Sequence, residues 1–173
     1  FGSQYNQLIA RKVREHNVFC EIVSPTIDSG SIDRHETKGI ILSGGPASVY
    51  APGAPTCDTR IFSLGIPVLG ICYGMQLMTK ILGGEVARSR SREYGRASLV
   101  VSNHKHLFKG VPEVSITWMS HGDKVKRMPK NFKRIASSKN TPIAAFADFE
   151  KKLYGVQFHP EVAHTKFGQD IIG

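Results

Sequence analysis

Of the three cysteines in this sequence, Cys72 stands in the setting that can make a thiol reactive. It lies between Gly70 and Gly74, where a short apolar run, Ile66–Ile71, gives way to a stretch with helical spacing, Tyr73–Leu82. A nucleophile on a sharp strand-to-helix turn needs neighbours without bulky side chains. The helix that follows aims unpaired N–H groups and the positive end of its dipole at the sulfur, which favours thiolate over thiol. The N–H of Tyr73 can also stabilise an oxyanion formed when the sulfur attacks a carbonyl. On these residues alone the competing reading is a buried, inert core cysteine.

A partner decides between the two, and the sequence offers one at its far end. Leu153–Phe158 reads as a buried strand and runs into His159-Pro160-Glu161. Side chains two apart in extended chain point the same way, so His159 and Glu161 share one side. Pro160 disfavours helix at His159 and keeps the pair extended. Nucleophile, base and a carboxylate that orients the base form the general design of covalent hydrolysis. Cys72, His159 and Glu161 are therefore the candidate catalytic residues.

The surrounding pattern supplies the elements that must position them. Tyr5–His16 predicts a helix with Leu8, Ile9 and Val13 inward, and Phe1–Gln4 reads as the loop after a strand that would lie upstream. Val18–Val23 predicts a strand with Cys20 in the core, Asp28–Lys38 a short helix plus loop, and Gly39–Ser43 another strand. Gly44-Gly45-Pro46 follows that strand without the Gly-Lys-Ser/Thr of a phosphate loop, so it reads as a loop whose backbone faces the site. Cys57 has no nearby partner and is read as incidental. After Gly84 the chain turns to short alternating strands, with Ser120–Asp123 in a loop after a strand ending at Trp118. Phe167–Ile172 reads as the start of a helix. Together these predict an α/β fold of flavodoxin-like type: a doubly wound, mainly parallel sheet with helices on both faces, plus a smaller antiparallel strand set in the second half. Residues 1–173 read as a single domain, clipped at both ends.

Composition sets the outer bounds. The 173 residues are 40% hydrophobic and 21% charged, an ordinary globular balance. No apolar run approaches the length of a membrane span. Three cysteines with no Cys-x-x-Cys argue against a disulfide framework or zinc site and fit a cytoplasmic protein. The formal charge is +9, with basic clusters at Arg88–Arg92, Lys124–Arg127 and Lys130–Arg134. They lack interleaved exposed aromatics and any recognised nucleic-acid motif, so solvated faces or contacts to an acidic partner domain are favoured over a nucleic-acid surface.

Three segments resemble the signatures of the class I glutamine amidotransferases: Leu42–Pro46 (LSGGP), Gly70–Gln76 (GICYGMQ) and Gly155–Glu161 (GVQFHPE), in the family's order and spacing. The resemblance spans essentially the whole chain. It implies hydrolysis of glutamine through a Cys72 thioester, with the backbone N–H groups of Gly45 and Tyr73 as oxyanion donors. It also implies that Gln76, Ser120, His121 and Asp123 bind the substrate, Asp123 meeting its ammonium. His121 as a second base is disfavoured.

Phe1–Tyr5 (FGSQY), Tyr73, Arg92–Gly95 (REYG) and Trp118–Asp123 (WMSHGD) resemble the branch that supplies ammonia for amination of XMP to GMP in purine biosynthesis. That branch implies no metal or cofactor for the glutaminase half. It implies ATP and Mg in an ATP-pyrophosphatase synthetase domain or subunit that this sequence lacks, and a homodimer formed through that part. Nucleic acid and membrane are not implied as partners. A γ-glutamyl peptide hydrolase on the same fold, or a glutaminase serving another synthase, remain the alternatives.

Overall fold

The computed structural model describes residues 1–89 and 93–173. Arg90 and Arg92, members of the Arg88–Arg92 cluster and, for Arg92, of the REYG motif, lie outside the described residues. The strands are β1 (Ile40–Leu42), β2 (Val68–Ile71), β3 (Glu85–Val101), β4 (Val114–Arg127), β5 (Lys133–Ser138), β6 (Ala145–Asp148) and β7 (Leu153–Val156). The α-helices are α1 (Asn6–Arg14), α2 (Tyr73–Ile81) and α3 (Gly168–Ile172).

One seven-stranded sheet runs in the order β1-β2-β7-β6-β5-β3-β4. Among the described residues β1 with β2 and β2 with β7 pair parallel, and the other four pairings are antiparallel. The α/β class holds, but the expected doubly wound, mainly parallel sheet with helices on both faces does not form. Two causes are local. The second-half strands do not stand apart, because β6 pairs with β7 and so joins them to the parallel edge. Val18–Val23, expected as a strand, has no ladder partner among the described residues and leaves Phe19 85% exposed. Cys20 is only half-buried there, not the core residue expected. Propensity alone does not hold a strand whose backbone groups have nothing to pair with. Asp28–Lys38 forms one short 3₁₀ turn at Ser29–Ser31 and no α-helix.

Of the stretches expected as short strands after Gly84, those up to Arg127 merge into the long β3–β4 ribbon, while β5 and β6 form as short strands. Ser120–Asp123 therefore lies inside β4 rather than in a loop, with His121 opposite Glu93, Ser120 opposite Tyr94 and Asp123 opposite Arg88. Ser, Gly and Asp carry turn propensity, yet ladder pairing on a neighbouring strand overrides it.

Strand alternation sends β2 side chains into two cores: Leu69 and Ile71 pack with Phe158, Leu99 and Met119, while Val68 packs with Met75, Met78 and Phe146. The first turn of α2 presses against the parallel edge of the sheet. A Cβ on Gly74 would overlap the Leu42 carbonyl. Alanine favours a helix over glycine by about 1 kcal/mol, but overpacking against backbone costs about 3 kcal/mol. Gly74→Ala is therefore expected to lower stability by about 2 kcal/mol, read as a shift in the denaturant midpoint. An unchanged midpoint would mean that α2 stands off β1.

Candidate active site

Cys72 sits at the junction of β2 and α2. Its N–H donates to Val156 O of β7 at 2.8 Å, and its carbonyl accepts from Gln76 N at 3.1 Å, which starts the helix. Between these two bonds the backbone takes φ 50°, ψ −101°. A non-glycine residue there is strained, and such strain survives only where the surroundings enforce it. The thiol is buried. It faces the Ser120 carbonyl at 3.7 Å and receives Gln157 Nε2 at 3.6 Å.

His159 follows the end of β7. Its N–H donates to Trp118 O at 2.9 Å, and its carbonyl accepts from Thr165 Oγ1 at 2.6 Å. The same Thr165 hydroxyl accepts from Trp118 N at 3.0 Å. Strand β4 thus fixes the main chain of His159 from both sides. The imidazole Nδ1 lies 2.8 Å from Glu161 Oε1, as the two-residue extended spacing predicts. Glu161 is fully buried, and its Oε2 has no hydrogen-bond partner among the described residues.

Burial pulls the His159 pKa down, but the hydrogen bond to Cys72, the bond to Glu161 and the negative charges of both outweigh it and push the value up to about 10. A histidine whose folded pKa lies above its ordinary value of 6.5 adds stability that is complete below that value and is lost as pH rises through about 10. Denaturant midpoints are expected to fall between pH 7 and 10 in the unaltered protein and much less in His159→Gln. Parallel curves for the two would show that the imidazolium is not held by its neighbours.

Cys72 and His159 open onto a cleft of about 830 Å³ that Gly45, Gln76, Ser120 and Asp123 also line. Gly44 lies beneath the imidazole, where a Cβ would come within 3.1 Å of His159 Cε1 and press on the ring by a few tenths of an ångström. Tyr73 is buried under the cleft, its phenol donating to Pro55 O at 2.6 Å. Gln76 lines the cleft, but its amide is committed inward, Nε2 donating to Asp123 O at 2.8 Å.

His121 behaves differently from the other expected substrate contacts. Its buried side chain does not line the cleft; Nδ1 bonds Asp123 O at 3.0 Å, and Nε2 lies 3.5 Å from Glu93 Oε2. The carboxylate beside His121 thus comes from the neighbouring strand, while Asp123, two residues on, contributes only its carbonyl. Desolvation lowers the His121 pKa, against the pull of the Glu93 charge. One wall of the cleft is Gly2–Tyr5, with the Tyr5 ring edge-on to His159 at 5.8 Å. Gln157 and Glu93 both stand inside recognised motifs, yet nothing in their local sequence signals contacts across the sheet.

The other cysteines lack this setting. Burial and the neighbouring Asp58 charge push the Cys57 thiol up to about 11, away from reactive thiolate. Among the described residues no cluster of three His, Cys, Asp or Glu is arranged to hold a metal ion, and no helix is long and apolar enough to cross a membrane.

Comparison with known proteins gives the family. Residues 1–173 match the family "Glutamine amidotransferase class-I". The chain is 59% identical over 172 residues to a GMP synthase [glutamine-hydrolyzing] of Caldanaerobacter subterraneus, covering 99% of this chain and 34% of that protein. It is 55% identical over 172 residues to the same-named protein of Staphylococcus carnosus, covering 99% of this chain and 33% of that protein. It thus spans about a third of the length of these curated relatives. A Thermoplasma acidophilum structure described as a GMP synthase subunit superposes with TM-score 0.84 at 30% identity, covering 98% of this chain and 85% of that one. A glutamine amidotransferase of Thermotoga maritima shares the fold, with TM-score 0.77 at 24% identity over 94% of this chain and 74% of that one. From the family match over its full length and these relatives, the chain belongs to the class I glutamine amidotransferases.

Proposed function

We propose that the chain is a glutaminase unit in which Cys72 attacks the side-chain amide carbon of glutamine. The observation that carries this reading is a strained, buried cysteine at a helix N-terminus, sharing a cleft with a histidine that is paired to a buried carboxylate. The Cys72 thiolate adds to the carbonyl carbon, and the oxyanion is held by the N–H groups of Gly45 and Tyr73. The His159 imidazolium gives its proton to the departing amide nitrogen, which leaves as ammonia from a glutamyl thioester. Water then adds to the thioester as His159 takes its proton, and the thioester collapses to glutamate and free thiol. Glu161 keeps the imidazole oriented and balances its charge. Asp123 and Ser120 line the cleft where the ammonium and carboxylate ends of the substrate would lie. This chemistry calls for no metal or organic cofactor.

The ammonia would serve a synthetase domain or subunit that activates XMP with ATP and Mg and aminates it to GMP. The names of the relatives and the third of their length that this chain covers support that role. Placement in the cytoplasm and pairing into a homodimer through the synthetase part belong to the same reading. Ammonia release from glutamine is expected to exceed release from γ-glutamyl peptides by orders of magnitude. The glutamine rate should rise further when the synthetase portion, XMP and ATP are present. Equal turnover of γ-glutamyl peptides, or no response to XMP and ATP, would contradict the assignment.

A further inference from the structure

A continuous buried polar chain links the sulfur of Cys72 to the interior of the β3–β4 ribbon. Gln157 Nε2 donates to Cys72 Sγ at 3.6 Å, and Gln157 Oε1 accepts from Gln76 Nε2 at 3.3 Å. The same Gln76 Nε2 donates to the Asp123 carbonyl at 2.8 Å, which also accepts from His121 Nδ1 at 3.0 Å. Beyond His121, Thr141 Oγ1 lies 3.3 Å from Nε2 and donates to Glu93 Oε2 at 2.5 Å, and Ser138 Oγ donates to Glu93 Oε1 at 3.3 Å. Every side chain in the series is buried, Gln157 completely.

The direction of these bonds follows from one fixed point. A backbone carbonyl can only accept, so Gln76 must turn its NH₂ group toward Asp123 O. That NH₂ group then needs an acceptor for its second proton, which turns the oxygen of Gln157 toward Gln76. The NH₂ group of Gln157 is left facing the sulfur. Among the described residues the sulfur also donates to the Ser120 carbonyl, an acceptor that suits the thiol and offers nothing to a thiolate. Once His159 takes the proton, Gln157 supplies a neutral donor to the thiolate in addition to the imidazolium. Hydrogen bonds to an ionised group are stronger than neutral ones, so the donor favours the thiolate specifically.

We propose that Gln157 and His121 are positioning residues: Gln157 holds the Cys72 thiolate, and His121, packed beside Glu93 and Thr141, donates Nδ1–H to the Asp123 carbonyl that sets the orientation of the two glutamines. His121 thus acts through the relay rather than by touching substrate. The relay also ties the sulfur to the strand whose Ser120 and Asp123 line the cleft, so substrate seated on β4 bears directly on the hydrogen bond at the nucleophile. The inference rests on Cys72 being the nucleophile.

The test is the pH profile of Cys72 alkylation by iodoacetamide in the complete enzyme, read on the Cys72 peptide by mass spectrometry, together with steady-state glutaminase kinetics. Gln157→Met keeps length and removes the donor, and Gln157→Glu keeps shape and presents an acceptor. The other titratable groups around the sulfur, namely His159 backed by Glu161, Tyr5, Arg88 and Asp123, are unchanged in both variants. Both are expected to move the alkylation midpoint up by about one pH unit and cut kcat about tenfold, with KM within about twofold, in line with loss of one charge-assisted bond. His121→Leu is expected to produce a similar shift at intact fold. His121→Asn, whose amide can replace the Nδ1 donor, is expected to restore the unaltered profile. An unchanged alkylation profile in either folded Gln157 variant overturns the relay while leaving Cys72 as nucleophile. Coincident profiles for His121→Leu and the unaltered enzyme overturn the part of His121. Unaltered enzyme in which Cys72 is alkylated no faster than Cys20 and Cys57 overturns the nucleophile reading beneath both.

Discussion

Replacing Cys72 with alanine is expected to abolish glutamine-dependent ammonia release, by at least about 10⁴-fold, with no loss of stability beyond that of a buried side chain. Removing the nucleophile of a covalent hydrolase leaves only what binding and the oxyanion donors can do, typically a small residue of the full rate. The strained backbone sharpens this expectation. With φ at 50°, residue 72 is held open by its bonds to Val156 and Gln76 rather than by its own side chain. Alanine leaves those bonds in place, so the fold should survive while the chemistry does not. In the complete enzyme, synthesis supported by added ammonia salts should persist in the variant, separating loss of nucleophile from loss of structure. Retention of even a tenth of the glutaminase rate would remove Cys72 from the chemistry.

His159→Ala is expected to be as damaging to activity and, unlike the cysteine variant, damaging to the fold. Loss of the base removes both proton transfers. It also strands Glu161, whose Oε1 is bonded to His159 and whose Oε2 has no partner among the described residues. Breaking a buried pair by deleting one member costs about 3–5 kcal/mol, because the remaining charge stays desolvated. The double variant His159→Ala with Glu161→Ala should therefore be more stable than His159→Ala alone, an inversion that a denaturant series reads directly. Additive losses in the double variant would show that Glu161 is not held as a charge by the histidine.

The parts of this site that can be read from the sequence are those encoded locally. The turn at Gly70–Gly74 and the two-residue step from His159 to Glu161 depend on neighbours in the chain, and both geometries form as their spacing implies. What escapes the sequence depends on pairing between distant strands. Glu93 reaches His121 only because β3 and β4 run antiparallel in that register, 28 residues apart in the chain. Ser120–Asp123 reads as a turn until β3 is placed beside it. Val18–Val23 fails in the opposite sense, since its residues favour a strand but no partner is present among the described residues. The sheet as a whole departs from expectation for a related reason. Hydrophobic runs mark strands without giving their direction, and β6 and β7 are joined by a tight turn that makes them antiparallel.

The most direct test of the account is to trap the covalent intermediate. The enzyme is mixed with glutamine, quenched in acid within the first turnovers, digested and analysed by peptide mass spectrometry. The account predicts a glutamyl adduct on the Cys72 peptide alone, absent when Cys72 is alanine, with Cys20 and Cys57 unmodified. Steady release of ammonia with the Cys72 peptide unmodified at every quench time, or an adduct carried by Cys57, would contradict it.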